Sequence, residues 1–103
     1  MLYLQKYQNK KIAIYGMGIT GFSTAKTLNK LGAKVSCWDD NAKVRKKLRN
    51  HNLFFNKFWL DKKLIDNIVI SPGIDINRSK IKNYLKKRDG PSLQLLLDFG
   101  LYL

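Results

Sequence analysis

Lys10 and Lys11 give way abruptly to Ile-Ala-Ile-Tyr, and the apolar run stops as abruptly at Gly16. A short apolar run without alternation fits a strand covered on both faces, as at the centre of a parallel sheet. The period then changes. Phe22, Ala25, Leu28 and Leu31 recur at spacings of three, with Lys26, Asn29 and Lys30 between them, which predicts an amphipathic helix over residues 21–31, ended by Gly32. Residues 33–38 return to an apolar strand, closed by Asp39-Asp40. Strand, glycine-rich turn, helix and strand make a βαβ unit, whose crossover is expected to be right-handed.

Residues 41–49 predict a second, strongly basic helix with Asn41 as its N-cap and Val44 and Leu48 facing inward. Residues 50–61 are rich in aromatics and lack a clean period; a short strand at 53–55 and a helical turn at 58–64 fit best. Phe54, Phe55, Phe58 and Trp59 read as core beneath a loop. Asn67-Ile-Val-Ile-Ser71 is another strand, stopped by Pro72-Gly73. A last basic helix is expected over residues 78–88, capped by Ser79 or Asn77, with Ile81, Tyr84 and Leu85 inward. After Asp89-Gly90-Pro91 leucine dominates, and residues 93–97 suit an edge strand or a short helix equally. Residues 1–9 form a lead-in whose Leu2, Tyr3 and Tyr7 can pack on a neighbouring edge. The pattern predicts an α/β fold: a Rossmann-like open parallel sheet with helices on both faces, in a single domain. Residues 1–88 make up that domain, and residues 89–103 a leucine-rich tail.

Charge adds a possible partner. The formal charge is +13, from 20 Lys and Arg against 7 Asp and Glu. The lysines are spread over several elements, however, and are accompanied by many asparagines, so solvated faces explain them better than a nucleic-acid interface. Cys37, the one cysteine, lies in an apolar run and reads as a small buried hydrophobe in a reducing cytoplasm. No stretch approaches the roughly 20 apolar residues that span a bilayer, and residues 1–10 lack a signal-peptide core. Neither nucleic acid nor membrane is expected as a partner. His51 sits in a polar connection without a ligand-spaced Cys or carboxylate and reads as a surface residue.

The chemistry concentrates at Gly16-Met-Gly-Ile-Thr-Gly21. Gly16 permits the tight turn off the strand, Gly18 lets backbone approach a phosphate, and Gly21 lets the helix pack on the strand. The free N–H groups of the helix's first turn, at the positive end of its dipole, make an anion site. Asp39 follows 18 positions after Gly21, close to the spacing of an acid that binds ribose. These features suit a nicotinamide-dinucleotide module of an oxidoreductase or regulatory sensor as well as any other nucleotide diphosphate. Thr20 inside the turn, and Ser71-Pro72-Gly73 at the same sheet edge, weigh against the nicotinamide reading.

Ile-Ala-Ile-Tyr-Gly-Met-Gly-Ile-Thr-Gly-Phe-Ser (residues 12–23), Trp-Asp-Asp (38–40) and Asp-Asn-Ile-Val-Ile-Ser-Pro-Gly-Ile (66–74) together resemble the N-terminal domain of a Mur ligase. The likeness covers residues 11–88 and is nearest to the D-glutamate-adding branch. It implies a domain that holds the UDP part of UDP-N-acetylmuramoyl-L-alanine in peptidoglycan synthesis. Carried over by position, Gly18, Ile19, Thr20 and Gly21 cradle the diphosphate, Asp39 and Asp40 sit by the uridine, and Ser71 and Gly73 line the other side. Asn41 departs from the pattern, where the family often has an arginine that flanks the uracil. The family's P-loop, modified lysine and metal-binding residues do not occur in these 103 residues. ATP and magnesium are therefore expected only in a full-length ligase, the chain is expected to be inactive as a ligase alone, and a truncated, frame-disrupted or excised domain is the expected origin.

Overall fold

A computed structural model of the chain describes residues 7–60, 65–71, 73–87 and 92–95. Among the described residues five strands form one sheet: β1 (Lys11–Tyr15), β2 (Lys34–Trp38), β3 (Phe54–Phe55), β4 (Asn67–Ile70) and β5 (Ser92–Leu95). Their order is β3-β2-β1-β4-β5, and every neighbouring pair is parallel. The expected Rossmann-like architecture is therefore the observed one, with β1 at its centre. Among the described residues no helix is long and apolar enough to cross a membrane.

A central strand buries both faces, and β1 does so residue by residue. Ile12 and Ile14 point into one cluster with Val35, Cys37 and Val69. Helices α1 (Ile19–Lys30) and α2 (Ala42–Leu48) cover it through Ala25, Leu28 and Leu48. Ala13 and Tyr15 point the other way, into a cluster with Trp38, Ile68 and Ile70. That side is closed by Phe58, by Ile81, and by Tyr84 and Leu85 of α3 (Lys82–Lys87). Each large aliphatic side chain so buried contributes about 1.5–3 kcal/mol. Burial also pushes the Cys37 thiol up to about 12, so it stays protonated at neutral pH and behaves as packing.

The helix boundaries follow from local chemistry. Helix α1 starts at Ile19, two residues before the expected start, because Gly18 takes an extended conformation and serves as the N-cap. It ends at Lys30, one residue before the expected end, with Leu31 as C-cap and Gly32 just beyond it. The N–H of Gly32 donates to the Asn29 carbonyl (3.1 Å) and that of Ala33 to the Leu28 carbonyl (3.0 Å), a Schellman pair of bonds. Helix α2 is capped by Asn41, whose side chain accepts from the Lys43 N–H at 2.9 Å. The continuous helix expected over 78–88 is not present. Asp75 instead caps a 3-10 turn, Ile76–Arg78, after which Ser79 is extended and α3 begins only at Lys82. The Ser79 hydroxyl donates to the Ile76 carbonyl at 2.7 Å, a local bond that competes with helix continuation.

The aromatic stretch is split. Phe58 is fully buried within a 3-10 turn, Phe58–Leu60, and Phe55 and Trp59 are partly covered. Phe54, expected in the core, is 62% exposed because it points outward from the two-residue strand β3 at the edge of the sheet. The expected extension of the turn to residue 64 lies outside the described residues, as do Leu2, Tyr3, Pro72 and Arg88. Tyr7 packs on the first cluster. The choice left open near residue 93 resolves as strand, with β5 in register beside β4 from Asn67↔Ser92 to Ile70↔Leu95.

Helix α1 meets β1 at one close approach. A Cβ at Gly21 would lie 2.2 Å from the Gly16 carbonyl oxygen, inside any permitted contact, whereas a Cβ at Gly18 meets nothing within 4 Å. Gly21→Ala is expected to cost roughly 1–3 kcal/mol, and Gly18→Ala to stay within about 0.5 kcal/mol of the parent. Urea unfolding of the two variants measures this, and equal midpoints would contradict the packing.

Candidate functional site

Parallel register sets up the site. Tyr15 lies opposite both Trp38 and Ile70, so the residues that follow, Gly16, Asp39 and Ser71, leave the same edge of the sheet. The Gly16 N–H donates to the Trp38 carbonyl (2.7 Å), and the Ser71 N–H donates to the Tyr15 carbonyl (3.1 Å). From β1 the chain proceeds to β2 and β3 on one side, then crosses to β4 on the other. The carboxyl ends of β1 and β4 thus flank a topological switch point, where ligands of open α/β sheets bind.

The glycine turn fits that crevice closely. Gly16 has φ +102°, and a Cβ there would sit 2.7 Å from the Ser71 Cβ, so only glycine allows β1 and β4 to end side by side. Gly18, Ile19 and Thr20 are exposed, Ile19 at 91%, while Gly21 is buried against β1. No side chain caps the start of α1, and its first turn holds no acid. The first-turn N–H groups, from Gly18 to Gly21, and the positive end of the 12-residue helix are therefore available to an outside anion.

The two acids at the end of β2 have different surroundings. Asp39 is half-buried; one of its oxygens accepts from the Met17 N–H at 2.8 Å and the other from the Asn41 N–H at 2.9 Å. Asp40 is exposed, and accepts from the Tyr15 hydroxyl (2.5 Å) and the Trp38 indole N–H (3.0 Å). Tyr15 in turn accepts from the Lys80 N–H at 3.2 Å. Burial, then the bond to Asp40, hold the Tyr15 phenol well above its usual range. A carboxylate oxygen has room for more than one donor, so neither acid is saturated by these bonds. Across the switch point Ser71 is half-buried, its carbonyl accepting from the Ile74 N–H (3.0 Å), and Gly73 is exposed with open space where a Cβ would stand. All eight site residues read from the sequence thus lie at one edge, Ile19, Thr20 and Gly21 in the first turn of α1 and the others on the loops beside it.

Three participants escaped sequence reading. Tyr15 and Trp38 look like core from their apolar runs, yet their polar tips fix Asp40. Arg45 belongs to a helix face that reads as solvated. Its guanidinium instead donates to the Asp39 carbonyl at 2.7 Å and lies 4.3 Å from the centre of the Trp38 ring. The available signal was its place one turn after the cap Asn41, which returns the side chain toward the end of β2. His51 is exposed and packs edge-on to Phe22 at 5.0 Å, as a surface residue.

Comparison with known proteins identifies relatives of this arrangement. Residues 10–89 match the family described as Mur ligase MurD-like, N-terminal domain. A UDP-N-acetylmuramoylalanine–D-glutamate ligase from the Wolbachia of Brugia malayi is 33% identical over 106 residues, covering 97% of this chain and 21% of that protein. The ligase of the same name from Lactobacillus gasseri is 36% identical over 92 residues, covering 81% of the chain and 20% of the relative. The chain thus spans about a fifth of the length of these curated relatives. Among solved structures, an imine reductase from Aspergillus terreus superimposes with a TM-score of 0.54 at 16% identity, over 78% of this chain and 28% of its own, a likeness of fold alone.

The bond network around Asp40 makes a prediction about pH. Tyr15 titrates above its ordinary value of 10.0 in the folded state, so above pH 10 the unfolded chain loses its proton first. Stability is then complete below pH 10 and declines as pH rises toward the folded value. Tyr15→Phe removes that decline, and at pH 7 costs about 1–2 kcal/mol because Asp40 loses a donor and Lys80 an acceptor. Thermal melts of both proteins from pH 7 to 11 test this; parallel curves would contradict it.

Proposed function

The chain belongs to the Mur ligase MurD-like N-terminal domain family, and from that premise we propose that it holds the UDP part of UDP-N-acetylmuramoyl-L-alanine for D-glutamate addition in peptidoglycan synthesis. The observation that carries this reading is the uncapped glycine turn, with exposed Gly18, Ile19 and Thr20 at the start of a helix whose first turn has no acid. Backbone N–H groups of Gly18, Ile19, Thr20 and Gly21, with the Thr20 hydroxyl, take the diphosphate. Asp39 and Asp40 lie on the uridine side, where their spare lone pairs accept from ribose hydroxyls or the base N–H. Ser71 and Gly73 line the opposite wall across the switch point.

The bond-forming step lies outside this role. Making an acyl phosphate requires ATP with its γ-phosphate neutralised by a metal and held by a P-loop, and the 103 residues contain no such motif. Substrate holding without ligase activity is the function proposed for this chain by itself. A cytoplasmic location goes with it.

Titration of isotopically labelled protein with UDP is expected to shift the amides of Gly18 to Gly21 together with one at or beside Asp39. Gly18→Ala is expected to weaken UDP severalfold while staying within about 0.5 kcal/mol of the parent in stability, since its Cβ has room in the fold but stands where the phosphate would approach. Saturating UDP with no shift at either place rejects the reading. Tighter binding of NAD than of UDP would favour a dinucleotide module instead.

A further inference from the structure

We propose that Tyr15 is a positioning residue of this site: its hydroxyl, bonded to Asp40 beyond β2 and to the Lys80 N–H beyond β4, holds the Asp40 carboxylate in one orientation at the rim of the crevice. The inference rests on the UDP reading above and adds a residue that acts on the ligand through Asp40 without touching it.

Tyr15 ends the central strand and is fully buried, on the face of the sheet that carries Trp38, Ile68 and Ile70. An aliphatic side chain would satisfy that packing. What tyrosine adds is a hydroxyl past the end of the ring, and a buried hydroxyl needs partners. It finds two, the Asp40 carboxylate at 2.5 Å and the Lys80 N–H at 3.2 Å. The ring itself meets Phe58 and Trp59 edge-on, with centres 6.3 and 5.9 Å away, so the place of the hydroxyl is set by the core and not by solvent.

The direction of these bonds follows from their chemistry. A backbone N–H can only donate, so Lys80 takes an acceptor side of the hydroxyl and the single phenolic proton goes to Asp40. The Trp38 indole N–H also can only donate, and it takes the other Asp40 oxygen at 3.0 Å. A carboxylate with a donor of fixed sense on each oxygen no longer turns freely. Asp40 is exposed, yet both donors belong to buried rings of one cluster, so its orientation is inherited from the core. Asp39 differs, because its carboxylate accepts from the backbone N–H groups of Met17 and Asn41 and owes nothing to Tyr15. An acceptor oriented before the ligand arrives loses less freedom when a ligand hydroxyl or N–H donates to it. The same phenolic oxygen joins the end of β2 to the segment after β4, with Lys80 lying 65 positions from Tyr15 in sequence.

Tyr15→Phe keeps the ring and removes only the hydroxyl. The test compares UDP with inorganic pyrophosphate, which has the phosphates and no nucleoside, by calorimetry and by amide shifts at Gly18 to Gly21, at a temperature where melting curves show each variant folded. Tyr15→Phe is expected to weaken UDP about fivefold and to leave pyrophosphate unchanged. Asp40→Ala is expected to weaken UDP at least as much, and adding Tyr15→Phe to Asp40→Ala to cost nothing more, because the hydroxyl acts only through Asp40. A role confined to folding would instead weaken both ligands alike. Equal losses for UDP and pyrophosphate, additive losses in the double variant, or unchanged UDP binding by either single variant would each overturn the positioning role. A parent protein that binds pyrophosphate at the turn but UDP no more tightly overturns it too, and leaves the diphosphate reading standing. Binding of neither ligand overturns both.

Discussion

Asp39 ties the site together. Its carboxylate accepts from Met17 and from Asn41, and its carbonyl accepts from Arg45, so one residue joins the glycine turn, the start of α2 and the cation above Trp38. The bond to Met17 matters most because of where Met17 sits. It lies between Gly16 and Gly18, and glycine loses more backbone freedom on folding than any other residue. A turn of that composition needs an anchor to stay in one shape. Asp39 supplies it from the neighbouring strand, and the buried Met17 side chain supplies another from the core. Parallel register delivers both strand ends to the same edge, so the anchor requires no further chain.

Two adjacent carboxylates beside a helix N-terminus would ordinarily repel an anion there. Here each of them is engaged by N–H or O–H donors: backbone amides for Asp39, the Tyr15 hydroxyl and the Trp38 indole for Asp40. Arg45 and Lys57 stand near the Trp38 ring and offset the charge further. The helix dipole and the chain's excess of +13 then leave the surroundings favourable to an anion, strengthening the long-range attraction of a charged ligand.

Much of this was legible in the sequence, for physical reasons that can be located. The unalternating run 12–15 needs cover on both sides, which fixes β1 as central, and the change to a period of three fixes α1. Gly32 and Asn41 mark helix ends because their local hydrogen bonds form whatever the tertiary context. Ser79 shows the limit of such reasoning: an N-cap residue type, it instead donates to a preceding carbonyl and delays α3 to Lys82. Phe54 shows another, since hydrophobicity does not say which member of an aromatic run falls on an edge strand. Asp39 and Asp40 were placed correctly on the sheet edge, but their partners were not readable. Tyr15 lies 25 positions from Asp40 and Met17 lies 22 from Asp39, and only the register of a folded sheet brings them together.

The glycine turn by itself cannot confer selectivity. Backbone N–H groups at a helix start accept a phosphate from any source. Discrimination has to come from the strand ends on either side. At β4 the Ser71 side is narrow, because Gly16 and Ser71 already approach as closely as a missing Cβ allows. At β2 the edge carries the side chains with direction: two acids, an indole and a guanidinium held over it. Asp40 and Arg45 bond neither Met17 nor the Asp39 carboxylate, so their side chains can change while the bond that anchors the turn stays in place.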